Sequence, residues 1–330
     1  MLRNRLAFAN FRTLTRGRGS LVLCLALCSL LVGVCSNAFA QSFATFDAPG
    51  AVRATIPLGI NQTGAITGYY LDARGASHGF LRIADGAFTT FDAPGAGTGF
   101  SQGTYAHSVN QNGAITGYYG DAGSVSHGFL RAPDGAFTTF DPPGARNTIP
   151  ESINRSGAIT GLYIGAGFVV HGFLRAPDGT ITTFDVPGAG TGVAQGTFAQ
   201  SINDSGAIAG WYVDAKGTNG AIHGFLRAPD GTITTFDVPG ANGFIFPPVS
   251  INQTGAITGS YDDARGVSHG FLRAPDGAFT TFDAPGAGTG LGQGTVALSI
   301  NRNGAIIGSY LDATGNHGFV RTLRGRHHRP

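Results

Sequence analysis

Six histidines recur at one place in this 330-residue chain, each in the step His-Gly-Phe: His78, His127, His171, His223, His269 and His317. Six aspartates recur in the step Phe-Asp-x-Pro-Gly: Asp47, Asp92, Asp141, Asp185, Asp237 and Asp283. Their types suggest metal binding or acid–base work. Equivalent residues spread over six repeats cannot share one ion, however, because zinc ligands must lie within about 2.0–2.1 Å of it. The plainer expectation is that each histidine bonds the backbone of its own repeat or the Phe-Asp-x-Pro-Gly aspartate. The aspartates are expected to cap their turns.

Positions where the repeat breaks its own rule are more telling. Three residues before a repeated Asn stand Leu58, His107, Glu151, Gln200, Val249 and Leu298. The neighbouring long loop suggests that these positions start a strand. If they face a central channel, His107, Glu151 and Gln200 make one side of its mouth polar, as a ligand site requires; drift at a tolerant loop edge is the competing explanation. One residue before a repeated Tyr stand Tyr69, Tyr118, Leu162, Trp211, Ser260 and Ser309. Exposed, Tyr69, Tyr118 and Trp211 would stack on sugar rings; buried, they would pack between repeats. The candidate binding residues are therefore His107, Glu151, Gln200, Tyr69, Tyr118 and Trp211. His107 and Glu151 are the acid–base pair of an enzymatic alternative.

Other chemistry is poorly represented. The chain has no G-x-S-x-G elbow, no H-E-x-x-H step and no D-x-[DN]-x-[DN]-G loop. Glu151 is its only glutamate, so paired carboxylates for glycoside cleavage would need an aspartate partner. Asp262-Asp263 is the one adjacent acidic pair, too few oxygens for a calcium site. No metal and no cofactor is expected.

What positions these residues is a repeat. The Asn anchors Asn61, Asn110, Asn154, Asn203, Asn252 and Asn301 are spaced by 49, 44, 49, 49 and 49 residues. Each copy holds four short runs alternating apolar with polar: one ending at the Asn, then A-I-T-G-Y-Y, H-G-F-L-R and F-T-T-F-D. Such alternation with β-branched and aromatic residues predicts strands, and nothing after residue 40 supports a helix. Asp-Gly pairs such as Asp134-Gly135 predict two-residue hairpin turns with both residues at positive φ. Four antiparallel strands in about 49 residues predict a β-propeller blade. Six Phe-Asp-x-Pro-Gly segments precede or follow the anchors so that the chain starts with an orphan fourth strand and ends one strand short. The expectation is a six-bladed β-propeller, with Ser42–Pro49 completing the last blade and hiding both edges.

A second period overlies the first. Segments leading into repeats 2, 4 and 6 read G-A-G-T-G-F-S-Q-G-T, G-A-G-T-G-V-A-Q-G-T and G-A-G-T-G-L-G-Q-G-T, whereas those into 1, 3 and 5 are shorter and carry proline. Two-repeat units with pseudo-threefold symmetry follow.

Residues 1–40 stand apart. Five arginines precede an apolar run from Leu21 to Cys35, and Ala38-Phe39-Ala40 gives small residues before Gln41. That pattern predicts a secretory signal peptide cleaved near Ala40-Gln41, its apolar run too short for a comfortable membrane span. The domains expected are a leader, 1–40, a propeller, 41–323, and a basic tail, 324–330. All three cysteines lie in the leader, so the exported part has no disulfide. The leader takes five of the 21 basic residues and none of the 19 acidic ones, leaving net −3. There is no basic field for nucleic acid. A monomer, secreted or held at the periplasm or cell surface, is expected.

The steps I-N-x-x-G-A-I-T-G, H-G-F-L-R-A-P-D-G and F-D-A-P-G over residues 43–320 resemble the extracellular HAF-repeat family. That family is named for His-Ala-Phe, and here Gly replaces the Ala in all six copies, from Gly79 to Gly318. The resemblance implies an exported repeat protein and no particular activity. The near-identity of the copies favours a non-enzymatic binding module for a polysaccharide or cell-surface partner, met on the face of the long loops. The alternatives are a secreted glycan-acting enzyme working at the channel mouth and a structural envelope protein.

Overall fold

The computed structural model describes residues 45–216, 221–243 and 245–322. The chain divides into two compact units, Met1–Phe46 and Asp47–Pro330, and the second carries the fold. Among the described residues it is all β, the one exception being a single 3-10 turn at Ala166–Phe168. No helix in them is long and apolar enough to cross a membrane.

Each repeat forms an antiparallel meander. In repeat 2 the strands are Gly103–Val109, Ile115–Gly120, Ser126–Arg131 and Phe137–Phe140. Three turns of one kind join strands. At Ala132–Ala136 the Ala132 N–H donates to the Ala136 carbonyl, the Gly135 N–H donates to the Ala132 carbonyl, and Asp134 Oδ1 accepts the Ala136 N–H. Gly135 has φ +94 and Asp134 is not in the left-handed region. The Asp-Gly step is therefore a three-residue loop closed by a left-handed glycine, not the two-residue turn its sequence suggests. The Asn110-x-x-Gly113 turn repeats this geometry, with Asn110 Oδ1 accepting the N–H groups of Asn112 and Ala114.

The repeats pack face to face. The third-strand phenylalanines Phe80, Phe129, Phe173, Phe225 and Phe271 are fully buried. Phe129 meets Phe91 of the preceding repeat edge-on at 6.5 Å, and Arg131 lies 4.9 Å over that same ring. Burial pushes the Arg131 guanidinium below its usual pKa. Glycine in His-Gly-Phe has a steric cause. A Cβ at Gly79, Gly128, Gly172, Gly224 or Gly270 would come within 2.1–2.9 Å of the ring of the repeat's own fourth-strand phenylalanine.

Two ladders tie neighbouring first strands together. Each Asn donates Nδ2–H to the next Asn carbonyl, from Asn61 through Asn110, Asn154, Asn203 and Asn252 to Asn301. Ser108, Ser152, Ser201 and Ser250 each accept the N–H of the isoleucine before the next Asn.

The second period is a feature of the hydrogen bonding. Repeats 1–2, 3–4 and 5–6 join into three sheets through single parallel bridges, Ser77 with Gly103, Val170 with Gly196 and Ser268 with Gly294. The glycines have φ of +107, +122 and +120, and a Cβ would fall 1.9–2.1 Å from the bridging carbonyl. Before repeat 3 the bridge is absent. Asn147 Oδ1 instead accepts the Ser126 N–H, the task that the Gln102 carbonyl performs for Ser77.

Five repeats have four strands; the sixth has three, ending with Asn316–Arg321, which has no fourth strand beside it among the described residues. The expected closing strand, Ser42–Pro49, lies partly outside the described residues, and positions 45–49 form no strand. Asp47–Gly50 nonetheless adopts the geometry of its equivalents: the Ala48 N–H donates to Thr55 Oγ1 as the Ala93 N–H does to Thr104 Oγ1.

Candidate functional site

The rule-breaking positions prove to be β-bulges. The first-strand register skips one residue at Leu58, His107, Glu151, Gln200 and Leu298, and the wider irregularity of repeat 5 contains Val249. The first five are thus the extra residue of their strand, re-aimed by the bulge, and Val249 is one of three such residues. His107 is the fifth of the seven residues of Gly103–Val109, so it lies nearer the Asn turn than the long loop. The expectation that these positions start the strand is wrong, because the strand begins four residues earlier, at Gly103, Gly196 and Gly294 in repeats 2, 4 and 6 and at Ala54, Asn147 and Ile245 in repeats 1, 3 and 5.

The bulges carry polar side chains from one repeat to the next. His107 Nδ1 lies 3.3 Å from Glu151 Oε2, with side-chain exposures of 17% and 26%. Gln200 is not part of this pair; its Oε1 accepts the Val249 N–H at 2.8 Å and braces the next strand.

Aromatic residues converge on the same place. Tyr105 and Tyr118 are cross-strand partners stacked at 4.6 Å, Tyr69 meets Tyr105 edge-on at 4.9 Å, and His107 meets Tyr118 edge-on at 5.3 Å. All are half-buried. Burial, with smaller contributions from Tyr105, Tyr69 and Glu151, pushes the Tyr118 phenol far above its usual value, so it stays protonated. Tyr69, Tyr118, His107 and Glu151 thus form one cluster across repeats 1–3. Tyr105, which sequence reasoning missed, is at its centre; the signal was that Tyr105 departs from the Ile, Phe and Val of its equivalents. Trp211 takes the packing role, stacked on Phe198 at 3.7 Å.

The repeated histidines follow the plainer expectation. His78, His127, His171, His223 and His269 each place Nδ1 within 2.6–3.0 Å of the aspartate of their own repeat's Phe-Asp-x-Pro-Gly. These aspartates accept the imidazole N–H, where the sequence suggested that they cap turns. A tyrosine lies over each ring, as Tyr163 does over His171 at 4.9 Å. Among the described residues no three His, Cys, Asp or Glu side chains converge as a metal-holding group.

A cavity of about 510 Å³ opens at the Asn turns, lined by Asn61, Gln62 and Gln111 from repeats 1 and 2 and by Asn252, Gln253 and Arg302 from repeats 5 and 6. Long-loop tips carry a different surface: Phe100, Val193 and Leu291, at equivalent positions, are 73%, 73% and 85% exposed.

No protein-family model matches the chain, and no curated protein matches its sequence. Solved structures of similar shape do exist. TolB from Acinetobacter baumannii is 13% identical with a TM-score of 0.45, over 77% of this chain and 65% of that one, so this chain spans just under two thirds of its length. AofleA from Arthrobotrys oligospora is 13% identical with a TM-score of 0.49, over 82% of each chain. The Aleuria aurantia lectin, described as a six-bladed β-propeller with a novel fucose recognition mode, is 13% identical with a TM-score of 0.43, over 81% of this chain and 90% of that one.

Proposed function

We propose that the protein is an exported, non-enzymatic carbohydrate-binding module whose repeats close into a six-bladed propeller. The observation that carries the binding reading is the Tyr69–Tyr105–Tyr118 cluster with His107 and Glu151 beside it. Half-exposed phenol rings offer an apolar face for a sugar ring, and one carboxylate and one imidazole offer the hydrogen bonds that fix its orientation. Catalysis is less well supported, since the cluster has a single carboxylate where glycoside cleavage uses two. Closure of the ring is supported by Asp47, which carries the Phe-Asp-x-Pro-Gly sequence and geometry of its equivalents, and by His317, whose Nδ1 has, among the described residues, no aspartate like that of the five other histidines.

Binding of the purified chain to a glycan panel tests this, with Glu151→Gln and Tyr118→Ala beside it. Sugar binding weakened at least tenfold by both supports the cluster. Unchanged binding in both variants removes it. The second reading, a protein partner on the long loops, is favoured by the three exposed tips. In that case Phe100→Ser, Val193→Ser and Leu291→Ser together abolish binding to cell-surface protein and leave sugar binding intact.

A further inference from the structure

Beside His78, His127, His223 and His269, on the side away from the Phe-Asp-x-Pro-Gly aspartate, lies a second carboxylate from the turn between the second and third strands. His78 Nε2 is 3.8 Å from Asp72 Oδ2, His127 Nε2 is 3.7 Å from Asp121 Oδ2, and His223 Nε2 is 3.4 Å from Asp214 Oδ2. The imidazole lies between two carboxylates, and the two contacts differ in kind. Nδ1 must donate, since an ionised carboxylate only accepts and lies at 2.6–2.9 Å. A protonated ring would donate its Nε2–H to that second oxygen; a neutral ring presents a lone pair toward it, and there a cation can bridge the two.

The second carboxylate is itself held in place. Asp72 Oδ1 accepts the N–H groups of Arg74 and Ala76, Asp121 Oδ1 those of Gly123 and Val125, and Asp214 Oδ1 those of Lys216 and Ala221. Only Oδ2 is left for the histidine. Both members of each pair therefore have the supporting hydrogen bonds that metal ligands use: a carboxylate behind the imidazole and backbone donors behind the carboxylate. The spacing fits too. Two ligands about 2.0–2.1 Å from one tetrahedral ion lie roughly 3.3 Å apart, and farther as the angle opens.

We infer that the Asp72–His78, Asp121–His127 and Asp214–His223 pairs are binding sites for a borderline divalent cation such as Zn²⁺ or Cu²⁺, with two protein ligands each and the remaining positions open to water or to a ligand oxygen. This goes beyond the carbohydrate reading and does not depend on it. The other repeats show how such a site is lost. Gly165 stands where repeat 3 would need its aspartate, leaving His171 with one carboxylate. In repeat 5 the Arg265 guanidinium already lies 3.0 Å from Asp263 Oδ2, the oxygen that would bind. In repeat 6 the Thr314 hydroxyl lies 3.1 Å from His317 Nε2.

Calorimetric titration of Zn²⁺ into the chain tests the inference, with proteins ending at residue 322 used throughout so that His327 and His328 do not bind the probe. Three equivalent sites are expected. Asp72→Asn, Asp121→Asn and Asp214→Asn together should abolish them or weaken them at least tenfold; asparagine keeps the Oδ1 acceptor that forms each turn, so folding is preserved. Nitrogen-15 spectra of the imidazoles should show Zn²⁺ shifting Nε2 of His78, His127 and His223 and leaving His171 unmoved. The inference is overturned if the triple variant binds Zn²⁺ as the parent does, if His171 responds like the others, or if the Nε2 resonances respond to pH alone.

Discussion

Repeats 3 and 4, in the middle of the chain, differ from repeats 1 and 6 at its ends, although their sequences are close to interchangeable. Ile153 and Ile202 are 6% and 5% exposed, while Ile60, the same position in repeat 1, is 69% exposed. Phe173 and Phe225 are fully buried, whereas Phe319 of repeat 6 is half-exposed, and Val320 and Ile307 beside it are 68% and 50% exposed. Asn203 is buried and donates to the next repeat; Asn301 is exposed and donates to none among the described residues. What a residue contributes is set by the neighbouring repeat, not by its own. That is the energetics of a repeat array, in which interfaces supply most of the stability.

The comparison can be broken most decisively at the phenylalanines. Phe173→Ala should cost about 3–5 kcal/mol, the usual penalty for emptying a buried aromatic site. Phe319→Ala should cost well under half of that if repeat 6 keeps a free edge, and as much as Phe173→Ala if the proposed ring closure covers it. Chemical denaturation of the two variants side by side decides. Next in size are the bridging glycines. Gly196→Ala should cost roughly 2–4 kcal/mol, because its φ is +122 and the new methyl would meet the Val170 carbonyl. Asn147→Ala, at the corresponding point of an odd-numbered repeat, should cost only about 1 kcal/mol, one hydrogen bond to Ser126. Equal losses would mean that the two kinds of junction are not distinct. The Asn ladder gives a smaller contrast. Asn203→Ala removes a side chain serving Ser205, Ala207 and the next repeat's Asn252, for about 1–3 kcal/mol. Asn301→Ala, lacking the forward bond, should cost measurably less by the same chemical denaturation.

Most of the fold was legible because the repeat multiplies every local signal. One copy of A-I-T-G-Y-Y is ambiguous, but six at nearly constant spacing are not, and even the two-repeat period could be read from the Gln-Gly-Thr steps. Geometry inside the repeat was harder to read. The Asp-Gly turns were expected with two left-handed residues and have one, because Asp134 uses its side chain to close the loop and does not take a positive φ. The His107 position was assigned to the strand's start, because nothing in a sequence marks the extra residue of a bulge. The link between His107 and Glu151 crosses a repeat boundary, and their alignment only showed that both depart from an aliphatic pattern. The turn aspartates Asp72, Asp121 and Asp214 stand a constant eleven residues after Asn61, Asn110 and Asn203 and so recur in the sequence; what the repeat does not show is that the turn brings their Oδ2 toward the histidine Nε2.

A last contrast lies between the turns of repeats 3 and 6. Repeat 3 has Gly165 where repeat 6 has Asp312, whose carboxylate accepts hydrogen bonds from the Thr314 hydroxyl and N–H and from the Gly315 N–H, and lies 3.3 Å from His317 Nε2. Those donors, the Thr314 hydroxyl foremost, hold the Asp312 carboxyl down from its ordinary 3.8 to about 2. A carboxylate whose value falls on folding adds stability that is complete above its unfolded value and disappears as pH falls through the folded one. The contribution of Asp312 should therefore be full above about pH 4 and lost toward pH 2. Because the group is open to solvent, the effect should be small. Asp312→Asn retains an acceptor for the turn and removes the titration, so its melting temperature should fall less steeply than the parent's between pH 4 and pH 2. Parallel slopes for Asp312→Asn and the parent would show that the hydrogen bonds to Asp312 persist in the unfolded chain, as a turn formed locally by four consecutive residues could.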